Sequence, residues 1–347
     1  MFEVMRKAGG PVAALAAALA VSSLIMLAFH ANPMMALEAL FQGALGSEQG
    51  LAETLVQTSA LIFAGLGVAI AFRAGLFNIG AEGQIVAGGL CTAVAGAALH
   101  LPTFFEVPLC LAAGAAGGAI WGGIAGVLRA RFGASEVITT IMLNYVAFLG
   151  SSYLVSGPLR GDANAPETAP IAASAVLPAL IANTRLTAAL PIAVALALAL
   201  AWWLRRSVAG YELRAVGSAE RAARYAGVDP GRVIMQAMAM AGALAGLAGA
   251  TEVLGLLHRF NAGLSPGYGF TSIAVALLGG SDPIGVIFSA FFFGALQNGA
   301  LAMQALAGVP KDLVSVVEGL IILFMAARRF SSGRILLRRP AAVADAP

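Results

Sequence analysis

Charge is scarce in this sequence. Of 347 residues only 11% are Asp, Glu, Lys or Arg, against roughly a quarter in ordinary soluble domains. Lysine is nearly missing: Lys7 and Lys311 are the two, so eighteen of the twenty basic residues are Arg. Three histidines (His30, His100 and His258) lie far apart, and two cysteines, Cys91 and Cys110, share no CxxC spacing. These shortages exclude function classes. A zinc site needs clustered His and Cys or an H-E-x-x-H helix, and neither exists, so no metal ligand set and no cofactor is expected. A P-loop ends in Gly-Lys, whereas the two lysines follow Arg6 and Pro310, so the chain has no Walker-type ATP site of its own. Both cysteines sit in or beside apolar stretches and read as small packing residues. The net charge of +3 does not point to nucleic acid, because the arginines are spread over loops rather than gathered on one face.

What the chain has in excess is apolar surface. Hydrophobic residues make up 60%, and the mean hydropathy is +0.89. A folded monomer in water must still present a polar exterior, so the solvent here is largely lipid. The same numbers exclude disorder. At about 20 apolar residues per crossing, ten spans are expected, over 12–30, 54–72, 78–98, 108–128, 135–156, 187–204, 234–256, 268–281, 284–304 and 313–327. The expectation is an all-α, polytopic membrane protein forming a single transmembrane domain over 1–347. The first run is longer than a cleaved leader's apolar core and lacks a clear small-x-small site, so it reads as a retained span.

Basic residues set the orientation. With the N-terminus in the cytoplasm, sixteen of the twenty fall inside, and only Arg160, Arg185, Arg259 and Lys311 fall outside. The positive-inside rule favours this topology, and the C-terminal arginines then favour an even span count with both termini cytoplasmic. Two polar segments interrupt the pattern: an external loop over 157–186 with Pro158, Pro166 and Pro170, and a cytoplasmic loop over about 207–232.

Glycine is patterned. Gly114, Gly118, Gly122 and Gly126 make three successive G-x-x-x-G steps, and Gly242 and Gly246 make another. Such steps let helix backbones approach closely in lipid, within one chain or across a homodimer seam.

Three constellations bear on chemistry. Gly263-Leu264-Ser265-Pro266-Gly267 matches G-x-S-x-G, but it lies at a membrane helix boundary rather than a strand-to-helix elbow and reads as chance. In the cytoplasmic loop, Ser218 is placed to cap a short helix, Glu220 sits near its positive end, Arg221, Arg224 and Tyr225 follow, and Gly227 stops it. A two-turn helix is poorly stable alone. It is either a solvated connector or a foothold seated in a cytoplasmic partner. Third, Asn78, Glu82 and Gln84 break two apolar runs at membrane depth, where irregular backbone must face protein or a water-filled cavity. Phe77-Asn78-Ile79-Gly80 is echoed by Phe260-Asn261-Ala262-Gly263, one after an outside-to-inside span and the other after an inside-to-outside span. That is the mark of an inverted repeat, with spans 2–5 matching spans 7–10.

The segment Gly75–Gln84 resembles the signature of permease subunits of ATP-binding cassette importers of the branched-chain amino acid and simple-sugar type. Met142-Leu143-Asn144-Tyr145 with Ser156-Gly157-Pro158-Leu159 is similar to their nucleoside branch. Ala215-Val216-Gly217 through Gly227 resembles the coupling segment, and Ala274–Gly280 with Pro283-Ile284-Gly285 the late hairpin. The likeness covers about residues 55–330. It implies a nucleoside or simple-sugar permease subunit in a bacterial inner membrane. Its partners would be a cytoplasmic ATP-binding cassette ATPase, a second homologous permease, an extracytoplasmic substrate-binding protein and membrane lipid. One departure stands out: Glu167 precedes Thr168 where nucleoside-type relatives commonly carry Gln, which bears on cargo or receptor pairing. Candidate pathway residues are Phe77, Asn78, Glu82, Gln84, Asn144, Phe260, Asn261 and Phe270. Amides donate and accept, which suits ribose hydroxyls and base edges, and the phenyl rings can stack on a base. Two other readings stay open. One is the same architecture carrying another sugar or an amino acid. The other is an ion-coupled transporter using Glu82, Glu252 and Glu318 as proton relays.

Overall fold

The computed structural model describes residues 32–161 and 165–310, with positions 20, 21, 23, 24, 26, 27, 312, 313, 315, 316 and 319–324. Most of the expected first span and part of the last, and with them His30 and Glu318, lie outside the described residues. Eleven α-helices are described: α1 (Pro33–Leu45), α2 (Glu48–Arg73), α3 (Ala81–Ala98), α4 (Thr103–Phe132), α5 (Glu136–Ser156), α6 (Ala189–Arg206), α7 (Val208–Ser218), α8 (Glu220–Tyr225), α9 (Pro230–Glu252), α10 (Tyr268–Leu278) and α11 (Pro283–Ala307). Six of the described helices, α2, α4, α5, α6, α9 with its extension to Leu257, and α11, are long and apolar enough to cross a membrane. The fold is all-helical, with each expected span between 54 and 304 falling on a helix.

Local chemistry explains the helix starts. Asn32 accepts from the N–H groups of Met34 and Met35 at 3.0 and 3.4 Å, ahead of Pro33 at the first helical position. Ser47 accepts from Gly50 N–H at 3.0 Å to begin α2. Asp229 accepts from Gly231 and Arg232 to begin α9, again with a proline, Pro230, at the first position. Helix α1 was not expected from the sequence; Asn32-Pro33 was its signal.

Helix α2 is the axis of the bundle. At a rise of 1.5 Å per residue its 26 residues run about 39 Å, and it packs against α9, α10 and α11. Asn298 of α11 reaches across to Gly50 O at 2.8 Å and Thr54 Oγ1 at 3.1 Å. The tightest pair is α4 with α9. A Cβ on Gly118 would run into the carbonyl oxygen of Gly242, and one on Gly246 into that of Gly114. The two glycine ladders therefore face each other inside this chain, which is the first of the two readings the pattern allowed.

Ion pairs mark two ends. At one, Arg73 donates to Ser281 O at 2.6 Å and to Asp282 at 3.1 Å, and Arg205 lies 3.6 Å from Asp282. This gathers the ends of α2 and α6 and the α10–α11 turn. At the other, Arg185 makes two 2.7 Å hydrogen bonds to Glu53, and Arg259 lies 2.9 Å from Glu167. The Glu53 carboxylate pushes the Arg185 guanidinium above its ordinary value. The loop over 157–186 has little regular structure, as expected: a 3₁₀ turn at Ala173–Ala175 and two isolated bridges, Glu167 to Asn261 and Ala179 to Thr187.

The loop over about 207–232 holds two helices where one was expected. Ser207 caps α7 by accepting from Gly210 N–H at 2.9 Å. The expected cap at Ser218 is not formed. Its hydroxyl donates back to Arg214 O at 2.8 Å, because Ser218 ends α7, and α8 begins after Ala219 with no side-chain cap. Gly227 has φ +85° and stops α8 as expected.

Candidate functional site

The chain re-enters the bundle after α2. Gly75, at φ +78°, turns it against Gly217 of α7, where a Cβ would press on backbone. Asn78 then folds the break: its Oδ1 accepts from Gly80 N–H at 2.9 Å and from Gln84 Nε2 at 3.3 Å, while its Nδ2 donates to Gln84 Oε1 at 3.1 Å. Asn144 of α5 closes the same segment, donating to Ile79 O at 3.0 Å and accepting from Gly83 N–H at 2.8 Å. All three amides are buried, and most of their hydrogen-bonding capacity is used within the chain.

Glu82 is buried in the first turn of α3 and accepts from Gly269 N–H at 2.6 Å. Gly269 lies in the first turn of α10. From there α10 runs nine residues, about 14 Å, to its end near the Arg73–Asp282 pair. Two short helices thus meet N-terminus to N-terminus inside the bundle, with a carboxylate at the positive ends. Ser265 accepts from Gly267 and Tyr268 N–H at 3.3 and 3.1 Å, so its hydroxyl helps start α10.

The remaining candidates scatter. Phe77 is 40% exposed and packs on Phe72, ring centroids 5.1 Å apart. Phe260 is fully buried; its N–H donates to Thr168 Oγ1 and its carbonyl accepts from Thr168 N–H, both at 3.0 Å, which pins the 157–186 loop. Asn261 accepts from Gly263 N–H at 3.0 Å, the same local turn that Asn78 makes. The structure therefore brings Asn78, Glu82, Gln84 and Asn144 together, and leaves Phe77, Phe260 and Asn261 apart from them.

A cavity of about 590 Å³ opens between α2, α10 and α11, lined by Gln57, Phe270, Thr271, Gln297, Asp312 and Ser315 among others. Of the eight pathway candidates only Phe270 lines it. Gln297 Nε2 donates to Thr271 Oγ1 at 3.0 Å. Gln57 Oε1 is buried without a donor among the described residues, an arrangement that costs about 1–3 kcal/mol if left unpaired. The sequence signal for this wall was polar amides inside apolar runs at Gln57 and Gln297, which single-span reading passed over.

At the end marked by Arg73 and Asp282, Ala223 anchors α8 while Glu220, Arg221, Arg224 and Tyr225 stand outside. Glu220 and Arg224 pair at 3.5 Å one turn apart. Tyr225 is 95% exposed, an uncovered aromatic on a six-residue helix.

The branched-chain amino acid transport system / permease component family matches residues 50–326. Among characterised relatives, a guanosine ABC transporter permease protein of Bacillus subtilis is 41% identical over 94% of this chain and 95% of its own length. A nucleoside ABC transporter permease protein of Lactococcus lactis is 37% identical over 93% and 92%. A glucose ABC transporter permease protein of Haloferax volcanii is 37% identical over 93% and 88%. No solved structure matches the chain. With its apolar helical bundle and its match across most of its length, this chain belongs to the branched-chain amino acid transport system / permease component family.

Proposed function

We propose that this chain is the membrane-spanning permease subunit of an importer that carries nucleosides or related simple sugars across a bacterial inner membrane, driven by separate cytoplasmic ATPases. One observation carries the reading: a cavity between apolar helices whose wall combines Phe270, Leu301 and Ile322 with the amides Gln57 and Gln297, the hydroxyls Thr271 and Ser315 and one carboxylate, Asp312. Such a wall suits a neutral solute with rings and hydroxyls. The relatives named for guanosine and nucleosides favour ribosides; the one named for glucose favours a sugar as the second reading.

In this picture ten spans place both termini in the cytoplasm, and α8 is the foothold of the ATPase. Ser218 and Gly227 bound that helix, and Glu220, Arg221, Arg224 and Tyr225 form its contact face. Gly217, seated on Arg73 and Gly75, links the foothold to the re-entrant segment. A second homologous permease and an extracytoplasmic binding protein complete the assembly. Packing supports an inverted repeat: α2 packs on α10 as α9 packs on α3, and α2 packs on α11 as α9 packs on α4. ATP-driven motion of the foothold would rock one repeat against the other and switch access to the cavity.

Uptake of labelled guanosine and of glucose by the complete assembly in sealed vesicles tests this. ATP-dependent guanosine accumulation that persists when the membrane potential is collapsed is the expected result. Accumulation by this chain alone, without companion proteins, would overturn it.

A further inference from the structure

The neighbours of Gln57 are all satisfied within the protein. Thr54 Oγ1 donates to Ala44 O at 2.9 Å and accepts from Asn298, and Thr58 Oγ1 donates to Thr54 O at 2.6 Å. Gln297, across the cavity, donates to Thr271. Gln57 Oε1 alone in this wall is buried without a donor among the described residues. An apolar side chain of the same reach would avoid that cost. The oxygen is closed off in this rotamer, and turning the carboxamide over brings it to the cavity that Gln57 lines, where a bound molecule can supply the donor.

The rest of the wall limits what that something is. Phe270 offers a flat apolar face that is 47% exposed, in the same cavity as Gln57. No Lys, Arg or His is among the described lining residues, and Asp312 is acidic. Among the described lining residues a phosphate would meet no cation and one carboxylate. The volume falls within the range of pockets that enclose small organic molecules.

We infer that Gln57 is a specificity-determining residue of the permease itself: its Oε1 accepts a hydrogen bond from an O–H or N–H of an uncharged riboside whose base lies against Phe270, and phosphorylated ribosides are rejected. This rests on the reading of the chain as a nucleoside carrier. A site of this kind acts after delivery by the binding protein, and so sets the rate at saturation rather than capture.

Two measurements test it. The first is guanosine uptake by the complete assembly in vesicles with saturating binding protein. Gln57→Leu is expected to lower the maximal rate at least tenfold, while the melting temperature of the purified chain stays equal or rises, because the unpaired oxygen is gone. A rate within twofold of the wild type, or a fall in melting temperature that parallels the fall in rate, overturns the assignment. The second is thermal stabilisation of the full chain in detergent. Guanosine is expected to stabilise the wild type but neither Gln57→Leu nor Phe270→Leu, and guanosine 5′-monophosphate to stabilise none of them. Equal stabilisation of the wild type by the monophosphate overturns it. If the wild-type assembly carries glucose and no guanosine, the nucleoside reading itself falls and the sugar reading replaces it; if it carries guanosine and Gln57→Leu is indifferent, only this inference falls.

Discussion

Glu82 and Gly269 join two helices that begin at the same depth. The 2.6 Å hydrogen bond from Gly269 N–H to the Glu82 carboxylate places the first turn of α10 against the first turn of α3. A Cβ at Gly269 would collide with the Glu82 backbone, so glycine permits the approach and the carboxylate satisfies an N–H that a helix start leaves unpaired. The residue next to that contact, Phe270, lines the cavity. A structural bond in the break is thus one residue from the wall that the cargo would touch.

Because Glu82 acts here as an acceptor, Glu82→Gln should keep most ATP-driven uptake, since the amide oxygen still accepts. Glu82→Ala should reduce uptake tenfold or more and lower the melting temperature. If Glu82 were a proton relay, Glu82→Gln would be as inactive as the alanine variant; uptake in vesicles separates the two.

Asn144 holds the break from α5 with two hydrogen bonds. Asn144→Ala leaves Gly83 N–H and Ile79 O without this partner, at a cost of about 1–3 kcal/mol. The detergent-solubilised chain should melt several degrees lower, and Asn144→Asp, which keeps only the acceptor, should fall in between.

Gly118 and Gly242 should tolerate no larger residue. Gly118→Leu forces α4 away from α9 along its length, and the variant should fail to yield folded protein. Gly123→Ala is the control, since a Cβ there has nothing nearer than 3.9 Å. Size-exclusion profiles of the two decide the point, and a monodisperse Gly118→Leu would show that the helix pair is not packed this way.

The pair Glu220 and Arg224 lies one turn apart on an exposed face. Exchanging them, as Glu220→Arg with Arg224→Glu, keeps the pair and changes α8 by only a few tenths of a kcal/mol, yet inverts the charge pattern offered to a partner. The double variant should insert normally and lose co-purification with its ATPase and with it uptake. Normal co-purification would remove α8 from the docking surface.

The break at Asn78 was legible because both its residues and its partner's are local: Asn-x-Gly makes the same turn at Asn78 and at Asn261. Glycine periodicity showed that two helix faces were thin, but not that they faced each other. Ser218 was misjudged because a hydroxyl between two helices serves whichever backbone is nearer, and α7 supplies the Arg214 carbonyl first. Helix α7 itself escaped notice since eleven residues are marginal alone; its burial of Leu213 and Val216 is what holds it.

By itself the sequence determined the apolar, lipid-compatible composition, the helical class and the positions of the helices between 54 and 304 within a few residues, because hydropathy and local motifs act over one or two turns. Only the tertiary structure decided that Gln57, Phe270 and Gln297 share a wall, that Asn78 and Asn144 spend their hydrogen bonds on the chain, and that Glu82 caps a helix nearly two hundred residues away. Those outcomes depend on which distant backbones meet in lipid, and that is set by the summed packing of many helices rather than by the composition of any one.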